Sequence, residues 1–189
     1  MKQNTALPLV ALALAAVSAA SGATLTASPV FQQIGTSGTV TIGAGQLGPN
    51  RLGGYDFLVS WDATIVALSQ VTFLAPGEFD GLGQWELLDV GLASVRAVFF
   101  AGPEELIASQ PESFALAELT FSAVSRGISP VDLEIVELTD AFAEPFEAGV
   151  SNAEIEVIPE PGSLGLLLAA ALAGALRAAR GPMSRRQFR

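Results

Sequence analysis

The sequence predicts an all-β sandwich, and three observations predict it. Apolar and polar residues alternate with period two at several places between Thr24 and Val157. Turn-forming glycines and prolines break that stretch at short spacing, and no long helical pattern interrupts it.

The strands are legible in order. In Tyr55-Asp56-Phe57-Leu58-Val59-Ser60-Trp61, the residues Tyr55, Phe57, Val59 and Trp61 share one face, with Asp56 and Ser60 on the other. Ala115, Ala117, Leu119 and Phe121 lie opposite Glu118 and Thr120. Val131, Leu133 and Ile135 alternate with Asp132 and Glu134, and Ile155 and Val157 oppose Glu154 and Glu156. Between the runs stand Gly48-Pro49-Asn50, Gly53-Gly54, Ala75-Pro76-Gly77, Gly81-Leu82-Gly83, Gly102-Pro103 and Arg126-Gly127, all read as turns. Glu104 to Ser109 suits a single helical turn, where two carboxylates after Pro103 complement the helix dipole. The strand pattern stops at Ile158-Pro159.

Both ends differ from this body. Residues 1–23 carry one lysine, an apolar stretch from about Ala6 to Val17, and the small-residue patterns Ser18-Ala19-Ala20 and Ser21-Gly22-Ala23. That is the layout of a secretory signal peptide with its cleavage site, so the protein is expected to be exported. Residues 159–189 hold Pro159-Glu160-Pro161, an apolar run from Leu164 to Leu176 within a membrane helix expected at about 163–179, and a basic tail. The uninterrupted run has 13 residues, short of the roughly 20 that span a bilayer comfortably. Arg177, Arg180, Arg185, Arg186 and Arg189 follow it and would stay cytoplasmic. An exported body, a short membrane stretch and a cytoplasmic basic end together read as a retention signal, in the logic of a tail that holds the chain until an enzyme cuts it.

Charge and composition remove whole classes of function. Of nine basic residues, only Arg51, Arg96 and Arg126 fall between Thr24 and Ile158, against 18 of the 19 acidic ones, a formal charge of −15. Such a surface repels phosphate backbones, which excludes nucleic acid as a partner. The chain has no cysteine and no histidine, so thiolate metal sites, cysteine nucleophiles and histidine general bases are absent. A hydrolase would have to rely on paired carboxylates, and no spacing singles out a pair. Asp132, Glu134, Asp140, Glu144 and Glu147 crowd the last third without a calcium-loop pattern and read as a solvated acidic face. No cofactor or metal is expected. Asp56 and Asp62 flank their strand as turn and edge residues. Trp61 is in phase with the core. Trp85, in the glycine-rich stretch Gly81-Leu82-Gly83-Gln84-Trp85-Glu86, is either an edge-packing residue or a glycan contact.

The body resembles a known family. Leu52-Gly53-Gly54-Tyr55-Asp56-Phe57-Leu58-Val59-Ser60-Trp61-Asp62, then Ile65-Val66-Ala67-Leu68-Ser69-Gln70-Val71, is similar to the early strands of cohesin-like domains. Phe114-Ala115-Leu116-Ala117-Glu118-Leu119-Thr120-Phe121 resembles that family's "L-A-x-L-x-F" strand, and Gly127 to Val157 its closing hairpins. The resemblance implies a jelly-roll-type sandwich of about nine strands over residues 24–158 that binds rather than catalyses. Cohesins dock dockerin modules, and the fold is related to carbohydrate-binding modules. The tail resembles the PEP-CTERM sorting signal: motif Pro159-Glu160-Pro161, short helix, arginine cluster. That likeness implies processing by a membrane protease of the exosortase type in a polysaccharide-producing bacterium. The reading that follows is a non-catalytic surface or matrix protein, held briefly in the inner membrane and then released. Its expected partners are the exosortase and either extracellular polysaccharide or a surface protein. The alternatives are a dockerin-type docking module and a carboxylate-only glycan hydrolase.

Overall fold

A computed structural model describes residues 22–159, apart from Asn50 and Phe79, together with the isolated positions Gly162 and Leu172. Residues 1–21 of the expected signal segment, the apolar run apart from Leu172, and the basic tail therefore lie outside the described residues. So do Glu160, Pro161, Arg177, Arg180, Arg185, Arg186 and Arg189. Ala23, placed at the end of the signal segment, is the first residue of a strand. Among the described residues, no helix is long and apolar enough to cross a membrane.

Eleven strands form two sheets: β1 (Ala23–Ala27), β2 (Val30–Gln33), β3 (Ser37–Gly45), β4 (Gly54–Trp61), β5 (Val66–Phe73), β6 (Gly81–Asp89), β7 (Leu92–Phe99), β8 (Phe114–Ala123), β9 (Gly127–Thr139), β10 (Ala148–Ser151) and β11 (Ala153–Ile158). A seven-residue helix, α1 (Pro103–Ser109), lies between β7 and β8. One sheet has the order β10-β1-β3-β8-β5 and the other β2-β11-β9-β4-β7-β6. The sandwich expected from the alternation is present, and the strand count has a physical explanation. Nine extended runs make eleven strands because the first and last runs each cross between the sheets. Pro29, which has no N–H to donate, separates β1 from β2. Asn152 separates β10 from β11; its side chain donates to Asp132 Oδ1 (2.8 Å) and accepts from the Leu133 N–H (3.0 Å). The two runs lie parallel, β1 beside β10 and β2 beside β11, while all other pairings are antiparallel.

The inner faces fill one core. Phe57, Val59, Val95, Val131 and Ile155 from one sheet meet Leu25, Val40, Ile42, Leu119 and Phe121 from the other, all essentially without solvent contact. Trp61 and Phe121 pack edge-to-face across the gap at 5.5 Å. Two bulges shift the phase that simple alternation predicts. The β3–β8 register slips at Ile42/Gly43, so Leu116 is buried beside Ala117. The Leu116 carbonyl accepts from the Leu74 N–H at 2.8 Å and, across the sandwich, from the buried Tyr55 hydroxyl of the opposite sheet at 3.0 Å. The β4–β9 register slips at Asp56/Phe57, which leaves Val136 exposed and turns Leu138 inward.

The strand directions give the sandwich two distinct poles. The chain enters β1 at one pole, with the loops 46–53, 74–80, 100–113 and 140–147. It leaves β11 at the other, with the turns 34–36, 62–65, 90–91 and 124–126. At the entry pole Gln110, just after α1, holds Leu52 by two buried bonds: it accepts from the N–H at 2.9 Å and donates to the carbonyl at 2.8 Å.

Candidate functional site

The outer face of β9-β4-β7-β6 is organised in cross-strand rows fixed by register. One row runs Thr139–Gly54–Val98–Leu82, and the next runs Glu137–Asp56–Arg96–Gln84. Gly54 lies between Thr139 and Val98, where an added Cβ would come within 3.1 Å of the Thr139 hydroxyl. Its missing side chain opens a shallow groove of about 510 Å³, floored by the backbone of Gly54, Tyr55 and Ala97. Leu82 and Val98 stand exposed on one side of the groove floor. Arg96, one of three arginines in the body, is exposed at the centre, with Asp56 and Glu137 in its row. Asp56 Oδ1 accepts from the Ser94 hydroxyl at 3.3 Å. The chemistry available is recognition: an apolar strip beside a cation set among carboxylates, on a rigid sheet.

The outer face of the other sheet is different in kind. Thr26, Thr39, Thr41, Thr72, Thr120 and Ser122 present hydroxyls there, with Glu118 as the charged member, and no large apolar side chain is exposed on it among the described residues. A second shallow groove of about 440 Å³ includes Thr26, Ser28, Thr41 and Ser113.

The residues singled out in the sequence separate clearly. Trp85 is in strand β6, not in a glycine-rich loop, because β6 pairs with β7 from Gly81 to Asp89. It pairs with Val95, whose side chain points into the core, so Trp85 faces inward at the sheet edge, 36% exposed. Trp85 therefore does not belong to the outer face of the sheet. Gly81-Leu82-Gly83 is likewise strand; glycine fits at position 83 because the Phe73 ring lies where a Cβ would be. Asp62 makes the expected turn: Oδ1 accepts from the Thr64 N–H (2.9 Å) and hydroxyl (2.6 Å). These bonds, the hydroxyl's first, hold its carboxyl below the usual aspartate range. Glu104 and Glu105 occupy the first turn of α1.

The acidic residues of the last third are dispersed. Asp140 Oδ1 accepts from the Phe142 and Glu144 N–H groups (2.8 and 3.0 Å), and Asp132 takes the Asn152 amide. Among the described residues no three carboxylates gather around one point. Pro159 follows β11 and is exposed. The groove residues Arg96, Val98, Leu82 and Gly54 were missed in the sequence. The one signal was Arg96 itself, a lone cation at an outward position in an apolar strand.

No protein-family model and no curated protein matches the chain. Solved structures do. The sixth cohesin of scaffoldin B from Acetivibrio cellulolyticus, solved with a Cel5 dockerin, superposes with a TM-score of 0.60 at 18% identity, over 73% of this chain and 100% of that one. A non-cellulosomal cohesin from the archaeon Archaeoglobus fulgidus gives 0.60 at 12% identity, over 77% and 97%. The cohesin module of a family 33 glycoside hydrolase from Clostridium perfringens gives 0.58 at 11% identity, over 74% and 97%. The body therefore has the cohesin fold; at these identities the likeness concerns fold alone.

Proposed function

We propose that this chain is an exported, non-catalytic docking module that binds a protein partner through the outer face of β9-β4-β7-β6. The groove carries this reading. It places exposed Leu82 and Val98 beside Arg96 on a strand-supported surface, the combination of apolar strip and arginine that anchors interfaces. Several structures of the same fold were solved holding dockerins, which supports a protein as the ligand class. Immobilised body and its Arg96→Glu variant, exposed to the proteins the producing cell exports, test it. One retained species, weakened at least about 30-fold by the substitution, is expected for an interface anchor; equal retention by both forms rejects the face.

The hydroxyl-rich outer face of the five-stranded sheet favours a second reading, contact with neutral extracellular polysaccharide. A glycan array separates the two, because binding there would depend on Thr41 and Thr120 and not on Arg96.

The ends of the chain complete the proposal. Residues 1–23 direct export. Pro159-Glu160-Pro161, the apolar run and Arg177, Arg180, Arg185 and Arg186 act as a sorting signal that holds the protein in the inner membrane until an exosortase-type protease releases it. Prolines on both sides of Glu160 are residues that disfavour helix, which suits a motif read in a protease cleft. Mass spectrometry of the mature C-terminus tests this: release ends the chain near Pro159, and Glu160→Ala retains the tail. An unchanged terminus in that variant would remove the sorting role.

A further inference from the structure

Charge is distributed unequally between the two poles. The entry-pole loops carry Glu78, Asp80, Glu104, Glu105, Glu112, Asp140, Glu144 and Glu147 against Arg51. The exit pole carries Asp62, Asp89 and Glu156, the cross-strand partner of Ile128, against Arg126. Large apolar side chains stand exposed around that same low-charge exit pole: Val90 at the β6–β7 turn (86% exposed), with Leu88, Val124, Ile128 and Ile158. The entry pole exposes Phe100, Ile107 and Phe142, but among its carboxylates. The hydroxyl face of the five-stranded sheet, with Glu118 as its charged member, exposes no large apolar side chain to insert among the described residues.

The sequence fixes what lies next to the exit pole. From Pro159 to Ser163 there are five residues before the apolar run begins at Leu164, a reach of at most about 17 Å. The 13-residue strand β9 spans about 44 Å from pole to pole. If the apolar run is in a bilayer, the exit pole lies within a headgroup layer or two of it, and most carboxylates of the entry pole stand several Debye lengths away.

We propose that the exit pole is a lipid-contacting surface: Val90, Leu88, Val124, Ile128 and Ile158 seat the sandwich on the bilayer interface while the C-terminal segment is inserted. This rests on the membrane reading of that segment. Apolar side chains on a rim of low charge enter the headgroup boundary to about 5–10 Å, and the strongly acidic pole points away from anionic lipid. Seating in this way holds the β11 end and Pro159 at the membrane surface, where a membrane protease works.

The native chain has no cysteine, so single probes are unambiguous. Full-length Val90→Cys, Val124→Cys and Glu104→Cys carry an environment-sensitive fluorophore in vesicles of three parts phosphatidylcholine to one part phosphatidylglycerol. Flotation, compared with the same chains ended at Ser163, reports insertion of the tail separately. The expected result is that all three chains float, and that labels at 90 and 124 lose iodide quenching and gain quenching by headgroup-region nitroxide lipid, while the label at 104 does neither. Floating chains whose labels at 90 and 124 stay open to iodide overturn the seating and leave the tail reading intact. Labels shielded from iodide but not quenched by lipid also overturn it, since a protein surface then covers the pole. Chains that do not float overturn the tail reading and the seating with it.

Discussion

Tyr55 gives the sharpest test of the core. It is the single tyrosine of the chain, and the body contains no lysine or cysteine, so no other side chain there titrates near pH 10. Its ring is 4% exposed, stacked on Phe57 at 5.7 Å, and its hydroxyl donates across the sandwich to the Leu116 carbonyl at 3.0 Å. Burial pushes the phenol well above its ordinary value of 10.0, since the phenolate would lose its hydration. The folded state therefore keeps a proton that the unfolded chain releases. This contribution is fully present below pH 10 and is lost as pH rises through the folded value. One unit above the unfolded pKa, at pH 11, the loss is about 1.4 kcal/mol. Denaturant unfolding between pH 8 and 11.5, with tyrosinate absorbance recorded on the native protein, measures both quantities. Wild-type stability is expected to fall along that slope while Tyr55→Phe stays flat. At neutral pH the variant is weaker by about 1 kcal/mol, because the cross-sheet hydrogen bond is lost while the Leu116 carbonyl keeps the Leu74 N–H at 2.8 Å. Native tyrosinate appearing at an ordinary phenol pKa, or parallel pH profiles, would refute the assignment of Tyr55 as a dry cross-sheet tie.

Three further outcomes follow from local geometry. Gly83→Ala places a Cβ into the Phe73 ring and is expected to lower stability by about 2 kcal/mol; calorimetry showing no change would mean β6 does not lie under that ring. Gln110→Ala strands both backbone groups of Leu52, a cost of about 3 kcal/mol, read by denaturant unfolding, and a cost near zero would detach α1 from the 46–53 loop. The Asp62 contribution is present above the unfolded aspartate range near pH 4 and is lost as pH falls through its lowered folded value. Between pH 4 and 2 the wild type is therefore expected to lose more stability than Asp62→Ala, and identical acid profiles would contradict the turn.

Period-two alternation marked β4, β9 and β11 because one face of each strand meets a dry core. The same rule misplaced what depends on pairing. Gly81 and Gly83 read as turn residues, yet the ring of Phe73, far from Gly83 in the alternation pattern, makes glycine the residue that fits inside a strand. The bulges at Leu116 and Val136 reverse the phase of their strands, and a bulge is set by the neighbouring strand's register and not by its own composition. The sheet crossings left weak traces, Pro29 inside an extended run and Asn152 between two others. The groove was hidden for a similar reason. Gly54, Leu82, Arg96 and Thr139 become neighbours through three strand pairings.

The central claim, that the six-stranded sheet's outer face docks a protein, is tested most directly by photo-crosslinking in the producing cell. A photoreactive residue at position 98 in the groove and another at position 41 on the opposite hydroxyl face sample the two outer surfaces. The account predicts a discrete protein adduct from position 98 that disappears with Arg96→Glu, and none from position 41. Adducts from 41 and not from 98, or no protein adduct alongside glycan binding, would contradict it.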